Sequence, residues 1–217
     1  MSVVILVRHG ETEGNIQRVW HGAQDAPLTA RGVNQVAATA RRIQVLVVEY
    51  PIDAFYVSPL PRAKSTAAAI ADALGRDAVV YPDLREFDLG DWEGRTFQDL
   101  AETEKLWEHW STDPYFAPPN GESPRSFSRR AMRAVEELVQ RHPQETILIV
   151  THSGVVTQVL ANWLGDGPDD WQRWEPENCA ISILANEGNG WRGVEVNGID
   201  HLLPGLVRPE VAANYTT

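Results

Sequence analysis

Short apolar runs alternate with longer segments bounded by helix start and stop signals along most of the chain. Apolar runs of four to eight residues predict strands, and the longer segments predict helices. The predicted strands cover 3–7, 54–57, 78–81, 146–150, 180–184 and 191–196, and the predicted helices cover 29–48, 61–74, 97–110, 124–142 and 153–164. Alternating strands and helices favour a parallel sheet, so we expect a three-layer α/β/α sandwich with a mostly parallel central sheet.

Capping residues support these boundaries. Thr29 is a good N-cap for the first long helix, and Ser123 followed by Pro124 is a typical cap and first helical position. The last two strands are predicted to form a hairpin joined at 187–190. We find no internal repeat and no linker in the sequence, so a single domain is expected over 1–217.

Composition narrows the possible functions. The chain has 217 residues, 43% of them hydrophobic, and a net charge of -11. This charge argues against nucleic acid or an anionic membrane as a partner. No apolar run approaches the roughly 20 residues of a membrane span. The single cysteine, Cys179, is expected to be a buried strand residue, and one cysteine fits a reducing cytoplasm.

Two predicted strands end in a histidine with a glycine nearby. The first ends at Arg8-His9-Gly10, and the fourth ends just before His152. In a parallel sheet both histidines would reach the same edge, where open α/β folds bind ligands. Arg62, at a predicted helix N-terminus, and the carboxylate of Glu86 could join them there. These groups can transfer a phosphoryl group: a histidine attacks phosphorus while arginines neutralise the phosphate oxygens.

Each of these signals is weak by itself. A lone Arg-His-Gly tripeptide arises by chance, and a histidine at a strand end is more often a packed or surface residue. The pair of strand-end histidines together with Arg62 and Glu86 is harder to dismiss. The other histidines, His21, His109, His142 and His201, show no metal-ligand spacing, so no metal and no cofactor are expected.

Longer motifs strengthen this interpretation, and they recur in one order over nearly the whole chain. They are Leu6-Val7-Arg8-His9-Gly10-Glu11-Thr12 through Asn15, Asp25-Ala26-Pro27-Leu28-Thr29 with Gly32, Ser58-Pro59-Leu60-Pro61-Arg62-Ala63, Glu86 with Leu89-Gly90-Asp91-Trp92-Glu93-Gly94, Gly121-Glu122-Ser123, and Val150-Thr151-His152-Ser153-Gly154. In these motifs the chain resembles the histidine phosphatase superfamily, on its phosphoglycerate-mutase-like branch.

The resemblance implies a role for each core residue. His9 would be the nucleophile that forms an N-phosphoryl intermediate. Arg8, Arg62 and His152 would grip the phosphate oxygens, and Glu86 would protonate the leaving group. To attack, His9 must be neutral, so its other ring nitrogen needs an acceptor, and neighbouring arginines should lower its pKa.

The predicted substrate-binding set is wider, and the resemblance implies two of its further members. Asn15 and the backbone near Gly22 would assist the phosphate grip. His21 lies beside Gly22 and could touch the substrate, although a surface position is the more common fate of such a histidine. Ser153 stands where many relatives have glycine, and its hydroxyl can still contact substrate.

Three functions stay open at this point: phosphatase, cofactor-dependent phosphoglycerate mutase, and non-catalytic phosphate-binding regulatory module. By resemblance, mutases carry a lysine shortly after the position of Gly94 and an arginine pair after the next helix. This chain has 95–98 as Arg-Thr-Phe-Gln and 110–113 as Trp-Ser-Thr-Asp, which favours hydrolysis. Arg125, Arg129 and Arg130 could replace the missing cations, but their helical positions are more typical of a solvated face.

The segment from about 93 to 123 is predicted to be a lid or insertion over the substrate. It is rich in aromatic residues, among them Trp107, Trp110, Tyr115 and Phe116, which either pack the core or face an apolar or aromatic leaving group. The expected substrate is a small phosphomonoester, bound with broad specificity. The strand edge at 191–196 could support a homodimer.

Overall fold

The described part of the protein, residues 1–207 of a computed structural model, is built around a six-stranded sheet. Its strands are β1 (Ser2–Arg8), β2 (Ala54–Val57), β3 (Val79–Val80), β4 (Thr146–Thr151), β5 (Ile181–Asn186) and β6 (Trp191–Gly198). Their order is β3-β2-β4-β1-β5-β6. The first four strands of this order run parallel, whereas β5 and β6 are antiparallel to their neighbours. The mostly parallel sheet and the closing hairpin are thus confirmed.

Helices cover both faces of the sheet. They are α1 (Glu13–Gln17), α2 (Ala30–Leu46), α3 (Pro61–Leu74), α4 (Phe97–Thr103), α5 (Leu106–Thr112), α6 (Pro124–Arg141) and α7 (Ser153–Leu164). Successive residues of β1 point to opposite faces: Ile5 packs with α2 and α3, and Leu6 packs with α6 and α7. The three-layer α/β/α architecture is confirmed, with the sheet as its middle layer.

The predicted caps begin the long helices. The Thr29 hydroxyl accepts the N–H of Gly32 at 2.8 Å at the start of α2. Ser123 does the same for Ser126 at 3.2 Å at the start of α6, with Pro124 in the first helical position. These caps satisfy backbone donors that have no partner within the helix.

The prediction of one helix over 97–110 is wrong. The structure has two short helices, α4 and α5, separated by Lys105 at φ 51°. Leu100 and Leu106 are both fully buried, although residues six positions apart fall on different faces of a continuous helix. The break at Lys105 lets both leucines reach the core, because it changes the direction of the chain between them.

Two smaller differences concern the segments beside the first and fifth strands. The polar turn after β1 contains the short helix α1, where Thr12 and Asn15 form a reciprocal capping box. Cys179 is buried as expected, but it lies before β5 and has φ 62°.

Among residues 1–207, no helix is both long and apolar enough to cross a membrane.

Candidate active site

The carboxyl ends of β1 and β4 bring His9 and His152 together. The strands pair with Arg8 opposite Thr151, and the N–H of His9 donates to the carbonyl of Thr151 at 2.9 Å. The two imidazole rings meet edge to face, with centroids 5.2 Å apart. Both side chains are buried, His9 at 4% and His152 at 0% exposure. The predicted meeting of the two histidines at one sheet edge is what the structure shows.

The ring of His9 is held by the backbone of the next residue, Gly10. Its Nδ1 lies 2.8 Å from the carbonyl oxygen of Gly10. Because a carbonyl oxygen only accepts, Nδ1 carries the proton in this contact and Nε2 keeps its lone pair. The carbonyl of His9 accepts from Asn178 Nδ2 at 3.1 Å and from the N–H of Cys179 at 3.3 Å. His9 is thus fixed in the tautomer that a nucleophile at Nε2 requires.

Both histidines are held in the neutral form. Burial lowers the pKa of His9 and of His152 well below 6.5 and is the largest cause for each. The charge of Arg62 is the second cause for both pKa values, and Arg8 lowers them further. The hydrogen bond from His9 to Gly10 raises the pKa of His9 and opposes only part of this shift. At neutral pH the two rings are therefore uncharged although two guanidinium groups lie close by.

Arg8 is buried at the end of β1 and contacts the segment before β5. Its Nη1 donates to the carbonyl of Pro176 at 2.5 Å. The same segment contains a 3₁₀ turn, Pro168–Trp174, whose Asp169 accepts from Arg125 Nη2 at 3.1 Å. The segment therefore connects the end of β1 with the start of α6.

Arg62 occupies the first turn of α3, and its guanidinium is bonded to the preceding loop. Nη1 donates to the carbonyl of Gln24 at 2.7 Å and to Asp25 Oδ1 at 3.2 Å. Nη2 donates to the carbonyls of His21 and Gly22, both at 2.8 Å. Each terminal nitrogen has two N–H groups, so these four bonds use all of them. In this conformation Arg62 acts on the histidines as a fixed positive charge.

The loop that holds Arg62 is tied to the segment that follows Glu86. Glu93 accepts the N–H of Ala23 at 2.7 Å and that of Gln24 at 2.8 Å. A Cβ on Gly22 would lie 1.9 Å from the carbonyl oxygen of Phe87 and 2.4 Å from Glu93 Oε1. Only glycine permits this approach of the two loops, which explains the residue type at position 22.

Asn15 lies close to the backbone of His9. Its Oδ1 accepts the N–H of Thr12 at 3.0 Å as part of the cap of α1. The same oxygen accepts from Asn178 Nδ2 at 3.1 Å, the group that also donates to the carbonyl of His9. The structure thus places Asn15 beside the backbone of His9 through a shared partner, Asn178.

The other two predicted binding residues lie in different surroundings. The carbonyl of His21 binds Arg62, while its ring packs against α1: a Cβ on Gly14 would lie 2.1 Å from His21 Cδ2. Ser153 is the first residue of α7 and is partly exposed beside His152. Ser153 therefore borders His152, whereas His21 is placed beside Arg62 by its carbonyl and against α1 by its ring.

Glu86 brings a carboxylate to the start of α7. Its Oε2 accepts the N–H of Gly154 at 3.1 Å, and its Oε1 accepts the N–H of Phe87 at 2.9 Å. A Cβ on Gly154 would lie 2.3 Å from Glu86 Oε1, so the helix approaches the carboxylate closely. Since α7 begins directly after His152, these contacts hold the carboxylate at the helix turn that follows His152.

Arg130 corrects one expectation from the sequence. Arg129 is exposed as predicted, but Arg130 is buried and does not belong to a solvated face. It makes two bonds to Glu122, at 2.7 and 2.6 Å, and donates to the carbonyl of Glu86 at 3.1 Å. The physical reason is packing: α6 turns this position toward the segment that carries Glu86, so Arg130 positions that segment.

The aromatic residues of the 93–123 segment are divided between core and surface. Trp110 packs against Trp20 and Phe87, with ring centroids 5.7 and 5.2 Å apart. Trp107 is 41% exposed and lies nearly parallel to Trp171, with centroids 6.4 Å apart. Tyr115 is exposed, whereas Phe116 stacks on His109. Packing against other rings explains why aromatic residues stand at positions 110 and 116. It does not explain why Trp107 and Tyr115 are exposed.

The sequence analysis did not predict four features of this region. They are the contacts made by Ser58, Asn178 and Glu93, and the burial of Arg130. Ser58 and Glu93 lie inside motifs that the sequence analysis singled out, so their positions carried a signal. Nothing in the sequence around Asn178 indicates that its side chain reaches His9, 169 positions away. Such contacts depend on how β1 and β5 pair.

The arrangement suits group transfer at an anionic centre. It combines a neutral imidazole with a defined lone pair, two guanidinium charges and a carboxylate at a helix N-terminus. Within residues 1–207, no three His, Cys, Asp or Glu side chains are clustered so that they could hold a metal ion.

Comparisons with known proteins agree with this chemistry. A family model described as the histidine phosphatase superfamily (branch 1) matches residues 4–198. An adenosylcobalamin/alpha-ribazole phosphatase from Escherichia coli (strain K12) is 34% identical over 185 residues, covering 84% of this chain and 89% of that protein. A protein from Enterobacter sp. (strain 638) named "Probable phosphoglycerate mutase" is 33% identical over 211 residues, covering 93% and 95%. A crystal structure of a phosphoserine phosphatase variant from Entamoeba histolytica with phosphoserine superposes with a TM-score of 0.82 at 27% identity, covering 94% of this chain and 100% of that chain.

Proposed function

The chain belongs to the histidine phosphatase superfamily (branch 1), and we propose that it hydrolyses phosphomonoesters without a metal, through a phosphohistidine on His9. The observation that carries this proposal is the pair of buried, neutral imidazoles of His9 and His152, 5.2 Å apart and within the field of Arg8 and Arg62. A neutral imidazole attacks phosphorus, and guanidinium charges offset the negative charge of the phosphoryl group.

The proposed reaction has two steps. In the first, His9 Nε2 attacks phosphorus in line, the bond from phosphorus to the ester oxygen breaks, and Glu86 gives its proton to that oxygen. In the second, Glu86 removes a proton from water, and the water oxygen attacks phosphorus. The bond between His9 and phosphorus then breaks, which releases inorganic phosphate and restores the neutral imidazole.

The phosphate oxygens are bound by Arg8, Arg62 and His152 in this proposal, with help from the other residues of the substrate-binding set: Asn15, His21, Gly22 and Ser153. Arg62 binds the substrate after exchanging some of its bonds to the loop at 21–25 for bonds to phosphate oxygens. The exchange is feasible because carbonyls and phosphate oxygens are both acceptors, and the phosphate makes the stronger, charge-assisted bond.

Hydrolysis is favoured over the mutase reaction by the surroundings of Arg95. Arg95 comes directly after Gly94, close to where mutases carry a lysine. Its Nε and Nη1 donate to Asp99 and Glu104, both at 2.6 Å. The charge of Arg95 is therefore paired with two carboxylates of the 93–123 segment. A phosphoglycerate carboxylate would have to displace these two carboxylates to bind Arg95, and water can reach the phosphohistidine instead.

The 93–123 segment is proposed to be a lid that shapes the leaving-group side of the site. Support comes from Trp107, which contacts Trp171 of the segment that also binds Arg8. An apolar rim of this kind suits small phosphomonoesters of varied structure, with a preference for apolar or aromatic leaving groups. Relatives of 33–34% identity carry names for different reactions, which agrees with a shared phosphate site and a variable rim.

We further propose that the enzyme works in the cytoplasm on a small-molecule substrate, without nucleic acid or membrane. The net charge of -11 and the single, buried cysteine support this placement. A homodimer across β6 stays a prediction. In the described sheet β6 is an edge strand, as such a dimer would require.

Trapping the intermediate tests the proposal. The protein is mixed with a ³²P-labelled phosphomonoester, quenched in alkali, which preserves phosphohistidine, and digested for peptide mapping. We expect label on the His9 peptide in the wild type and in a His109→Ala control, and none in His9→Ala. Turnover to inorganic phosphate without any trapped label would overturn the intermediate. Binding without turnover would support a regulatory module instead, and interconversion of phosphoglycerates without phosphate release would support a mutase.

A further inference from the structure

Ser58 makes the shortest contact to the second histidine. It follows β2, is fully buried, and its backbone N–H donates to the carbonyl of Val150 at 3.0 Å. Its hydroxyl oxygen lies 2.6 Å from His152 Nε2. The same oxygen accepts the N–H of Leu60 at 3.3 Å, at the start of α3. Ser58 therefore connects β2, the cap of α3 and the ring of His152.

These two contacts define which way the hydroxyl proton points. A serine hydroxyl has one proton and two acceptor lone pairs. The N–H of Leu60 takes one lone pair. If His152 Nε2 also carried a proton and donated it to Ser58, the serine proton would be buried with no acceptor shown among residues 1–207. The lone pair of His152 Nδ1, which has no partner among residues 1–207, would then be unsatisfied as well, whereas with Ser58 donating to Nε2 only the Nδ1–H lacks a partner. Because each buried polar group without a partner costs free energy, the favoured arrangement has Ser58 donating to Nε2.

This arrangement leaves the proton of neutral His152 on Nδ1. Nδ1 is buried and has no hydrogen-bond partner among residues 1–207. A fully buried ring nitrogen with its proton, beside a second histidine and two guanidinium groups, is a donor for an oxyanion. In the opposite tautomer the same nitrogen would present a lone pair, which repels a phosphate oxygen.

We propose that Ser58 is a positioning residue that sets the tautomer of His152, so that an uncharged ring offers Nδ1–H to a phosphate oxygen of the substrate. The proposal rests on the proposed function, because it assigns His152 to the phosphate. In both histidines a hydrogen bond to one ring nitrogen fixes the state of the other. Gly10 accepts from Nδ1 of His9, which leaves the Nε2 lone pair for attack, and Ser58 donates to Nε2 of His152, which leaves Nδ1–H for binding.

The tautomer can be measured without any turnover. Long-range ¹H–¹⁵N correlation spectra distinguish a protonated ring nitrogen from a bare one. The His152 signals are assigned by their loss in His152→Ala. In the wild type near pH 7 we expect Nδ1 protonated and Nε2 bare. In Ser58→Ala we expect the Nε2–H form to become populated, and in Ser58→Thr, which keeps the hydroxyl, the wild-type pattern to persist. A wild-type spectrum with Nε2 protonated would overturn the proposal.

Binding and turnover provide the second readout. For Ser58→Ala we expect the affinity for inorganic vanadate and the kcat/KM for a phosphomonoester to fall about 10- to 100-fold, as for loss of one hydrogen bond to a charged group. Ser58→Thr should recover most of the loss, and Ser128→Ala, which removes the hydroxyl of another buried serine, should lose little. Thermal unfolding of each variant shows whether it is folded.

The outcomes separate this proposal from the proposed function. A folded Ser58→Ala protein with an unchanged tautomer and unchanged vanadate affinity would overturn the role of Ser58, even if phosphohistidine is trapped on His9. The expected tautomer change without any trapped phosphohistidine would instead support Ser58 as a positioning residue for phosphate binding and reject the covalent intermediate.

Discussion

The carboxylate of Glu86 accepts the N–H of Gly154 at 3.1 Å, at the first turn of the helix that begins directly after His152. Residues 68 positions apart are thus joined between the loop after β3 and the start of α7. Arg130 strengthens this connection by binding the carbonyl of Glu86 from α6. The carboxylate therefore has a fixed place at the start of α7, where the proposed mechanism uses it as the proton donor to the leaving group.

Glu86→Gln should separate acid catalysis from phosphate binding. Its amide is similar in size but cannot give a proton, so kcat/KM for an alkyl phosphate, which reports the reaction only up to release of the alcohol, should fall by roughly 10²–10⁴-fold. The loss should be much smaller for p-nitrophenyl phosphate, whose leaving group departs without protonation. Steady-state kinetics on both substrates measures the difference, with Glu136→Gln on the exposed part of α6 as control. Equal losses on both substrates would rule out the acid role.

Arg62→Met should raise the pKa of both His9 and His152. The guanidinium charge lowers both values in the wild type, so removing it favours the protonated rings, although burial still keeps both pKa values below 6.5. Arg62→Lys keeps the charge and should leave both pKa values lower than Arg62→Met does. Titration followed by NMR of the histidine rings gives the comparison. Identical titration in the two variants would show that the charge of Arg62 does not reach the histidines.

Gly22→Ala should destabilise the protein. The added Cβ would lie 1.9 Å from the carbonyl oxygen of Phe87, and backbone atoms cannot move aside easily. Overpacking of this kind costs typically about 1–3 kcal/mol in the free energy of unfolding. Gly205→Ala is the matched control, because a Cβ there meets no atom within 4 Å. Urea unfolding measures both variants, and equal stability would show that the loops separate readily.

Acidification should destabilise the fold in part through His201. Burial is the main cause that lowers its pKa from 6.5 to about 4 in the folded protein, with the charge of Arg42 second. Between these two values the unfolded chain takes up a proton that the folded protein does not, so stability falls as the pH falls through this window. One such group contributes at most about 1.36 kcal/mol per pH unit.

His201→Gln removes this contribution. The free energy of unfolding of the variant should therefore depend less steeply on pH between 6.5 and 4 than that of the wild type. Urea unfolding across this range provides the measurement. Parallel curves for the two proteins would mean that His201 titrates alike in the folded and unfolded states.

Chelation should leave turnover unchanged. The proposed reaction draws its positive charge from Arg8 and Arg62 and its nucleophile from His9, so no step uses a metal ion. Phosphate release is measured before and after dialysis against EDTA, with and without added Mg²⁺. Loss of activity that Mg²⁺ restores would contradict the metal-independent mechanism.

The sequence by itself determined the succession of the six strands and the long helices along the chain, the strand-end histidines and the family that the motifs indicate. These features are local: a run of apolar residues defines a strand, Thr29 and Ser123 define helix starts, and motifs are read over a few neighbouring residues. Because parallel strands end at one edge, even the meeting of His9 and His152 followed from local patterns.

Tertiary structure decided the contacts between segments far apart in the chain. Only the fold shows that the Arg62 side chain is bonded to the loop at 21–25, that Arg130 is buried beneath Glu86, and that Ser58 holds His152. Local propensity also failed at Lys105, where burial of Leu100 and Leu106 breaks a predicted helix. The physical reason is the same in each case: hydrogen bonds and burial depend on which surfaces pack together, and a residue's neighbours in sequence carry little information about that packing.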